Sequence, residues 1–142
     1  MDTQKHFDVL ALGNAIVDVM SRIDDAFLQK HGIVKGVMTL IDENLAESLY
    51  ADMPHDAECS GGSAANTAAG VASLGGHPAF IGKVADDVLG EIFRKDIIKA
   101  GVYYDTKPLH ISQKQPTGRS FVFVSEDAQR TMHTFLGACS LL

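Results

Sequence analysis

The densest chemical information in this chain lies in Gly61-Gly62-Ser63-Ala64-Ala65-Asn66-Thr67-Ala68-Ala69-Gly70, where two glycines lead into an alanine-rich segment. Glycine has no Cβ and tolerates backbone angles that other residues avoid, so a ligand can approach the main chain closely there. The helix expected from Ser63 begins with N–H groups that have no partner inside it, and these point outward toward oxygens or anions. Asn66 falls in its first turn and adds an amide that both donates and accepts. Such a loop suits a polyhydroxylated or phosphorylated small molecule, and a plain strand-to-helix turn would look much the same. Lys83 follows Gly82, but no Gly-x-x-x-x-Gly-Lys-Ser/Thr run exists, which excludes a P-loop. Gly13 opens no Gly-x-Gly-x-x-Gly pattern, which counts against a dinucleotide site of the Rossmann type.

Three further segments give the glycine pair a context. Gly13-Asn14-Ala15-Ile16-Val17-Asp18 follows a short apolar run, and Gly75-Gly76 with Phe80-Ile81-Gly82-Lys83-Val84-Ala85-Asp86-Asp87-Val88-Leu89-Gly90 follows Asn66. Gln115-Pro116-Thr117-Gly118-Arg119 then precedes a β-forming run. In this order the motifs resemble the N-terminal signature of the ribokinase-like (PfkB) carbohydrate and nucleoside kinases. The resemblance is closest to adenosine-kinase-like members, which favour Gly-Asn plus apolar residues before the aspartate. It implies an α/β fold: the N-terminal portion of a ribokinase-like fold, with a parallel core sheet, flanking helices and a small β-lid. The lid strands are expected near 17–23, 37–41, 58–60 and 102–136, interleaved with the core in one truncated domain, 1–142.

The same resemblance implies transfer of the γ-phosphoryl group of ATP, with Mg²⁺, to a primary hydroxyl of a small-molecule nucleoside or sugar, adenosine being the first choice. A ribokinase- or fructokinase-like sugar kinase and a non-catalytic ligand-binding module are the alternatives. Asp18, just past the end of a core strand, is expected to pin adjacent hydroxyls, because both carboxylate oxygens accept at once. Open α/β sheets bind ligands beyond the carboxyl ends of their strands, which is where Asp18 falls. Asn14 and Asn66 would complete the hydroxyl contacts, with backbone groups at Gly61 and Gly62; for Asn14 an Asx-turn is the other reading. Ile16 offers apolar surface to a base or sugar ring, or belongs to the core. Phe135 and Phe123 would cover an aromatic base from the lid, although alternation along a strand favours packing on a sheet face. Asp86 and Asp87 read as helix caps. Arg119 reads as a phosphate-steering group or, as for most lone strand arginines, a surface residue.

The family's second signature, a glycine-rich anion hole carrying the catalytic aspartate, has no counterpart before Leu142, since no Asp-Thr-x-Gly-Ala-Gly-Asp pattern occurs. Leu136-Gly137-Ala138-Cys139 reads as a Gly-Ala turn, with cysteine where many sugar kinases have asparagine. The chain is therefore expected to be an N-terminal fragment or truncated product. It would hold most of the substrate-recognition residues and the lid, would lack the catalytic aspartate and most ATP-binding groups, and would be inactive alone. A sheet edge left open in this way invites self-association.

Positioning these residues requires alternating strands and helices. Phe7 to Leu12 is a short apolar run ending at Gly13, as in a buried parallel strand, and Val17 to Ile23 alternates as a half-exposed strand does. Asp24 or Asp25 caps a helix to about Lys30, and Val37 to Ile41 is a strand. Asp42 caps an amphipathic helix to Ala51, and Glu58 to Ser60 leads into the glycine pair. The alanine-rich helix runs from Ser63 to Leu74. Pro78 to Lys83 is the next core strand, followed by a helix from about Asp87 to Ala100 with Val88, Leu89, Ile92, Phe93 and Ile97 on one face. Val102 to Tyr104 opens another strand, and Arg119 to Val124 pairs with Thr131 to Leu136 as a hairpin.

Composition sets the outer bounds. The 142 residues are enough for one modest domain, and 46% hydrophobic residues permit a packed core. A net charge of −6 argues against a nucleic-acid or anionic-membrane footprint. Met1 to Lys5 is polar without a signal-peptide core, and no apolar run reaches the length of a membrane span. Two cysteines and six scattered histidines, with no His-x-x-x-His pair, give little basis for a metal site or disulfide framework. A reducing cytoplasm is the expected compartment.

Overall fold

Val9–Leu12 and Pro78–Ile81 are short apolar runs that stop before Gly13 and Gly82 and form strands, and aspartates cap three of the helices. The computed structural model describes residues 6–142. β1 (Val9–Leu12), β2 (Ile16–Arg22), α1 (Asp25–Lys30), β3 (Met38–Leu40), α2 (Glu43–Asp52) and β4 (Ala57–Gly61) make up the first part. They are followed by α3 (Ser63–Ser73), β5 (Pro78–Ile81), α4 (Val88–Lys99), β6 (Tyr103–Tyr104), β7 (Gly118–Val124) and β8 (Arg130–Phe135). Asp24, Asp42 and Asp87 each accept a hydrogen bond of 2.8 Å from the backbone N–H three residues on, satisfying a donor that the helix itself leaves unpaired. α3 differs, because Gly62 precedes it and supplies no side-chain cap.

The strands divide into two sheets. β1, β5 and β6 form a parallel sheet in the order β1-β5-β6, with α4 as the crossover between β5 and β6. The other five form a mixed sheet in the order β3-β8-β7-β2-β4. The expected lid region 102–136 splits between the two. Tyr103–Tyr104 joins the parallel sheet, because the Tyr104 ring packs 5.9 Å from Phe80 and 5.5 Å from Phe93, and its hydroxyl donates to the Gly82 carbonyl at 2.8 Å. Only from Gly118 onward does that region enter the mixed sheet.

Cross-strand partners point to the same side of a sheet. One face of the mixed sheet carries Val17, Val19, Phe121 and Phe123, all fully buried, and shares a core with Leu49 of α2 and Phe93 and Ile97 of α4. The expected apolar stripe of α4 holds for Leu89, Phe93 and Ile97. Val88 is 77% exposed, since the first residue after the Asp87 cap points away from the sheet. Among the described residues β1 has a partner on one side only, and its Leu10 and Leu12 are 63% and 66% exposed. No helix among the described residues is long and apolar enough to cross a membrane.

Candidate functional site

The chain passes between the two sheets at adjacent points, and the chemistry-bearing residues collect there. Gly13-Asn14-Ala15 carries it from β1 to β2, and Gly61-Gly62 carries it from β4 into α3. Ile16 pairs with Gly61 across the β2–β4 ladder. A Cβ on Gly13 would lie 2.8 Å from the Cβ of Ala64, and one on Gly61 would lie 2.6 Å from Oδ1 of Asp18. A Cβ on Gly62, whose φ is +95°, would collide with the Asn14 carbonyl oxygen. The two crossings are thus in contact through their glycines, and the Asp18 carboxylate sits over Gly61 with no room to spare.

Asp18 is half-buried, and burial raises its carboxyl above the ordinary value of 3.8. No protein group among the described residues donates a hydrogen bond to it, so its oxygens are available to donors from outside. Asn14 and Asn66 are exposed, and neither side-chain amide has a hydrogen-bond partner among the described residues. The Asn66 N–H bonds to the Gly62 carbonyl at 2.9 Å, which fixes that residue in the first turn of α3. Chemically, one carboxylate, two amides and the uncapped helix start offer acceptors and donors for several hydroxyls at once.

The supports of this junction come from α4. Asp96 accepts from both the N–H and the hydroxyl of Ser60, at 2.7 and 2.8 Å, which ties the end of β4 to the helix one residue before Gly61. At the other end of α4, Asp87 caps the helix and also accepts from the N–H and hydroxyl of Thr117, at 2.8 and 2.6 Å. Thr117 Oγ1 in turn accepts from the Ala85 N–H at 3.0 Å, which anchors the start of β7. One helix therefore holds two strands of the mixed sheet where they leave the core. Asp87 performs the capping expected of it and this second task as well.

The register places a single row across all five strands of the mixed sheet. Cys59, Asp18, Ser120, Thr134 and Leu40 are successive partners from β4 to β3. The next row on that face is Ala57, Met20, Val122, Met132 and Met38. Ile16 lies on the same face, buried at 7% exposure but outside the main core cluster. Phe135 does not join them. It pairs with Arg119, which pairs with Val17, so it belongs to the opposite, core-facing side with Phe123.

Arg119 is not a surface residue. It is 4% exposed, paired with Glu47, with its guanidinium 5.2 Å from the Tyr50 ring centroid and 6.0 Å from that of Phe135. The face that opposes α2 has room for a long planar cation over aromatic rings, and that contact takes up the charge. Sequence reading missed Ser120, Thr134, Cys59 and Leu40. Alternation marks which residues share a face within a strand, but only the pairing of strands distant in sequence puts these beside Asp18. Asp96 carries no signal in the sequence at all, being one acidic residue on a helix rich in charge. Among the described residues, no three His, Cys, Asp or Glu side chains come together as a metal site would need.

The two-sheet architecture, with a glycine-lined crossing between a parallel core and a half-open mixed sheet, defines a ribokinase-like fold. The chain belongs to the pfkB family of carbohydrate kinases, whose model matches residues 30–141. It is similar to the adenosine kinase from Sinorhizobium meliloti, with 58% identity and a TM-score of 0.85, covering 96% of this chain and 41% of that one. A probable sugar kinase from Rhizobium etli CFN 42 matches at 55% identity and TM-score 0.85, with the same coverage of 96% and 41%. Among curated relatives, a fructokinase from Klebsiella pneumoniae is 37% identical over 79 residues, which are 56% of this chain and 25% of that protein. The chain thus spans about a quarter of that relative and about two fifths of those structures.

Proposed function

We propose that this chain is the substrate-binding part of an ATP-dependent nucleoside kinase, with adenosine as the acceptor of the γ-phosphoryl group at its primary hydroxyl. The observation that carries the reading is the Asp18 carboxylate, seated on Gly61, half-buried and without a donor among the described residues. It accepts from two neighbouring hydroxyls of the sugar, and the charge-assisted bonds fix the ring's orientation. Asn14 and Asn66 engage the flanking hydroxyls. Gly61 and Gly62 admit the sugar to the backbone, and Ile16 supplies an apolar contact beside it. The primary hydroxyl is left pointing out of this cradle, as transfer requires.

ATP brings the phosphoryl group when bound. The choice of adenosine rests on the likeness to the Sinorhizobium meliloti adenosine kinase. The fructokinase relatives support a sugar acceptor instead. Calorimetric titration of the chain with adenosine, ribose and fructose separates the readings. Adenosine binding at least tenfold tighter than either sugar, lost in Asp18→Ala, is the expected result. Preference for fructose would move the protein to the sugar kinases, and failure of a folded chain to bind any of the three would overturn the assignment.

A further inference from the structure

We propose that Ser120 and Thr134 form a specificity pair that donates one hydrogen bond to an acceptor atom on the heterocycle of a nucleoside. The proposal rests on the nucleoside-kinase reading above and deepens it. The two hydroxyls lie 2.9 Å apart, and the residues are only 6% and 8% exposed. Each hydroxyl carries one proton and can accept two. Their mutual bond uses one of the two protons. Among the described residues neither side chain has another partner, so the second proton has no protein acceptor. A nearly buried hydroxyl with an unused proton is a donor awaiting an acceptor, because burial without a bond is costly.

Its location names the acceptor. Ser120 is the partner of Asp18 on the neighbouring strand, and Thr134 is one strand further, roughly 10 Å from Asp18 at the usual spacing of about 4.8 Å per strand. A sugar held by Asp18 therefore leaves the hydroxyl pair to whatever the sugar carries. Around the pair the face is apolar: Leu40 and Met38 are 61% and 58% exposed, and Met20 and Met132 are each 37% exposed. Apart from Asp18, the two rows running across this face contain no charged side chain. A longer polyol would need more polar partners than one donor. A flat heterocycle lying on thioether and leucine surface, with one ring nitrogen or carbonyl turned to the hydroxyls, satisfies both features.

The test compares the chain with its Ser120→Ala/Thr134→Val double variant, titrated with adenosine, ribose and 1-deaza-, 3-deaza- and 7-deazaadenosine. Both residues are changed together because a single survivor would keep its own proton. The wild-type chain should bind one of the deaza compounds roughly 2- to 12-fold more weakly than adenosine, the factor expected of one neutral hydrogen bond. The double variant should lose the same factor for adenosine, no longer distinguish that analogue from adenosine, and bind ribose as before. Equal wild-type affinity for adenosine and all three analogues would overturn the proposal while leaving the nucleoside reading intact. Adenosine bound no better than ribose by the wild-type chain would overturn both. If the double variant does not fold, equal wild-type affinity for adenosine and the three analogues still overturns the proposal.

Discussion

Replacing Gly61 by alanine separates the ligand site from the fold more cleanly than any other single change. The new Cβ would stand 2.6 Å from Oδ1 of Asp18 and closer still to Cγ and Oδ2, well inside van der Waals contact. The obstructed atoms end a side chain that can rotate away, and the φ of Gly61 is not positive, so the strand itself can accept alanine. Melting should therefore move by no more than about 3 °C, because a compatible Gly→Ala change alters stability by under about 1 kcal/mol. Displacing the carboxylate should remove at least one charge-assisted hydrogen bond to the ligand. Such a bond contributes about 1.5–3 kcal/mol, which weakens binding roughly 10- to 150-fold. Gly62→Ala should do the reverse. Its φ of +95° and the Asn14 carbonyl in its path put the strain in the backbone, at about 1–3 kcal/mol of stability. Calorimetric titration with adenosine and thermal melting of both variants would check the pair. Wild-type affinity in a folded Gly61→Ala chain would refute the placing of the ligand on Asp18.

Three other changes test the surroundings of the site. Asp96→Ala removes the acceptor of both Ser60 bonds and should cost about 2–3 kcal/mol, a melting shift of several degrees, whereas Asp96→Asn keeps an oxygen and should cost less than half as much. Burial raises the Asp18 carboxyl above 3.8, so the folded chain holds a proton that the unfolded chain releases, and stability falls as pH rises through the window between those two values. Asp18→Asn lacks that term: it should melt higher than wild type above the window, with the advantage vanishing below about pH 3.8, as parallel melting series would show. Burial raises both thiols, that of Cys139 to about 11, and Cys139 is buried while Cys59 is half-exposed beside Asp18. A thiol reagent followed by mass spectrometry should label Cys59 first, and adenosine should slow that labelling.

Much of the local structure is legible in the residues themselves. The aspartates at 24, 42 and 87 cap helices because a carboxylate three residues before a free N–H satisfies it in any context. The glycines at 13, 61 and 62 signal that the backbone is approached closely, and the order of the motifs around them carries the family. The caps are short-range, fixed by hydrogen bonding within three residues, whereas what each glycine meets lies more than forty residues away: Ala64 for Gly13, Asp18 for Gly61 and Asn14 for Gly62.

Tertiary structure decided the rest. Strand pairing between segments about a hundred residues apart put Ser120 and Thr134 in line with Asp18, and turned Phe135 to the other face. The space between that face and α2 made Arg119 a buried residue, and the Phe80–Phe93–Tyr104 contact drew β6 into the parallel sheet. Alternation along a strand says which residues share a side. It does not say which side meets the core or which strand lies alongside, because both depend on burying apolar surface contributed by the whole chain.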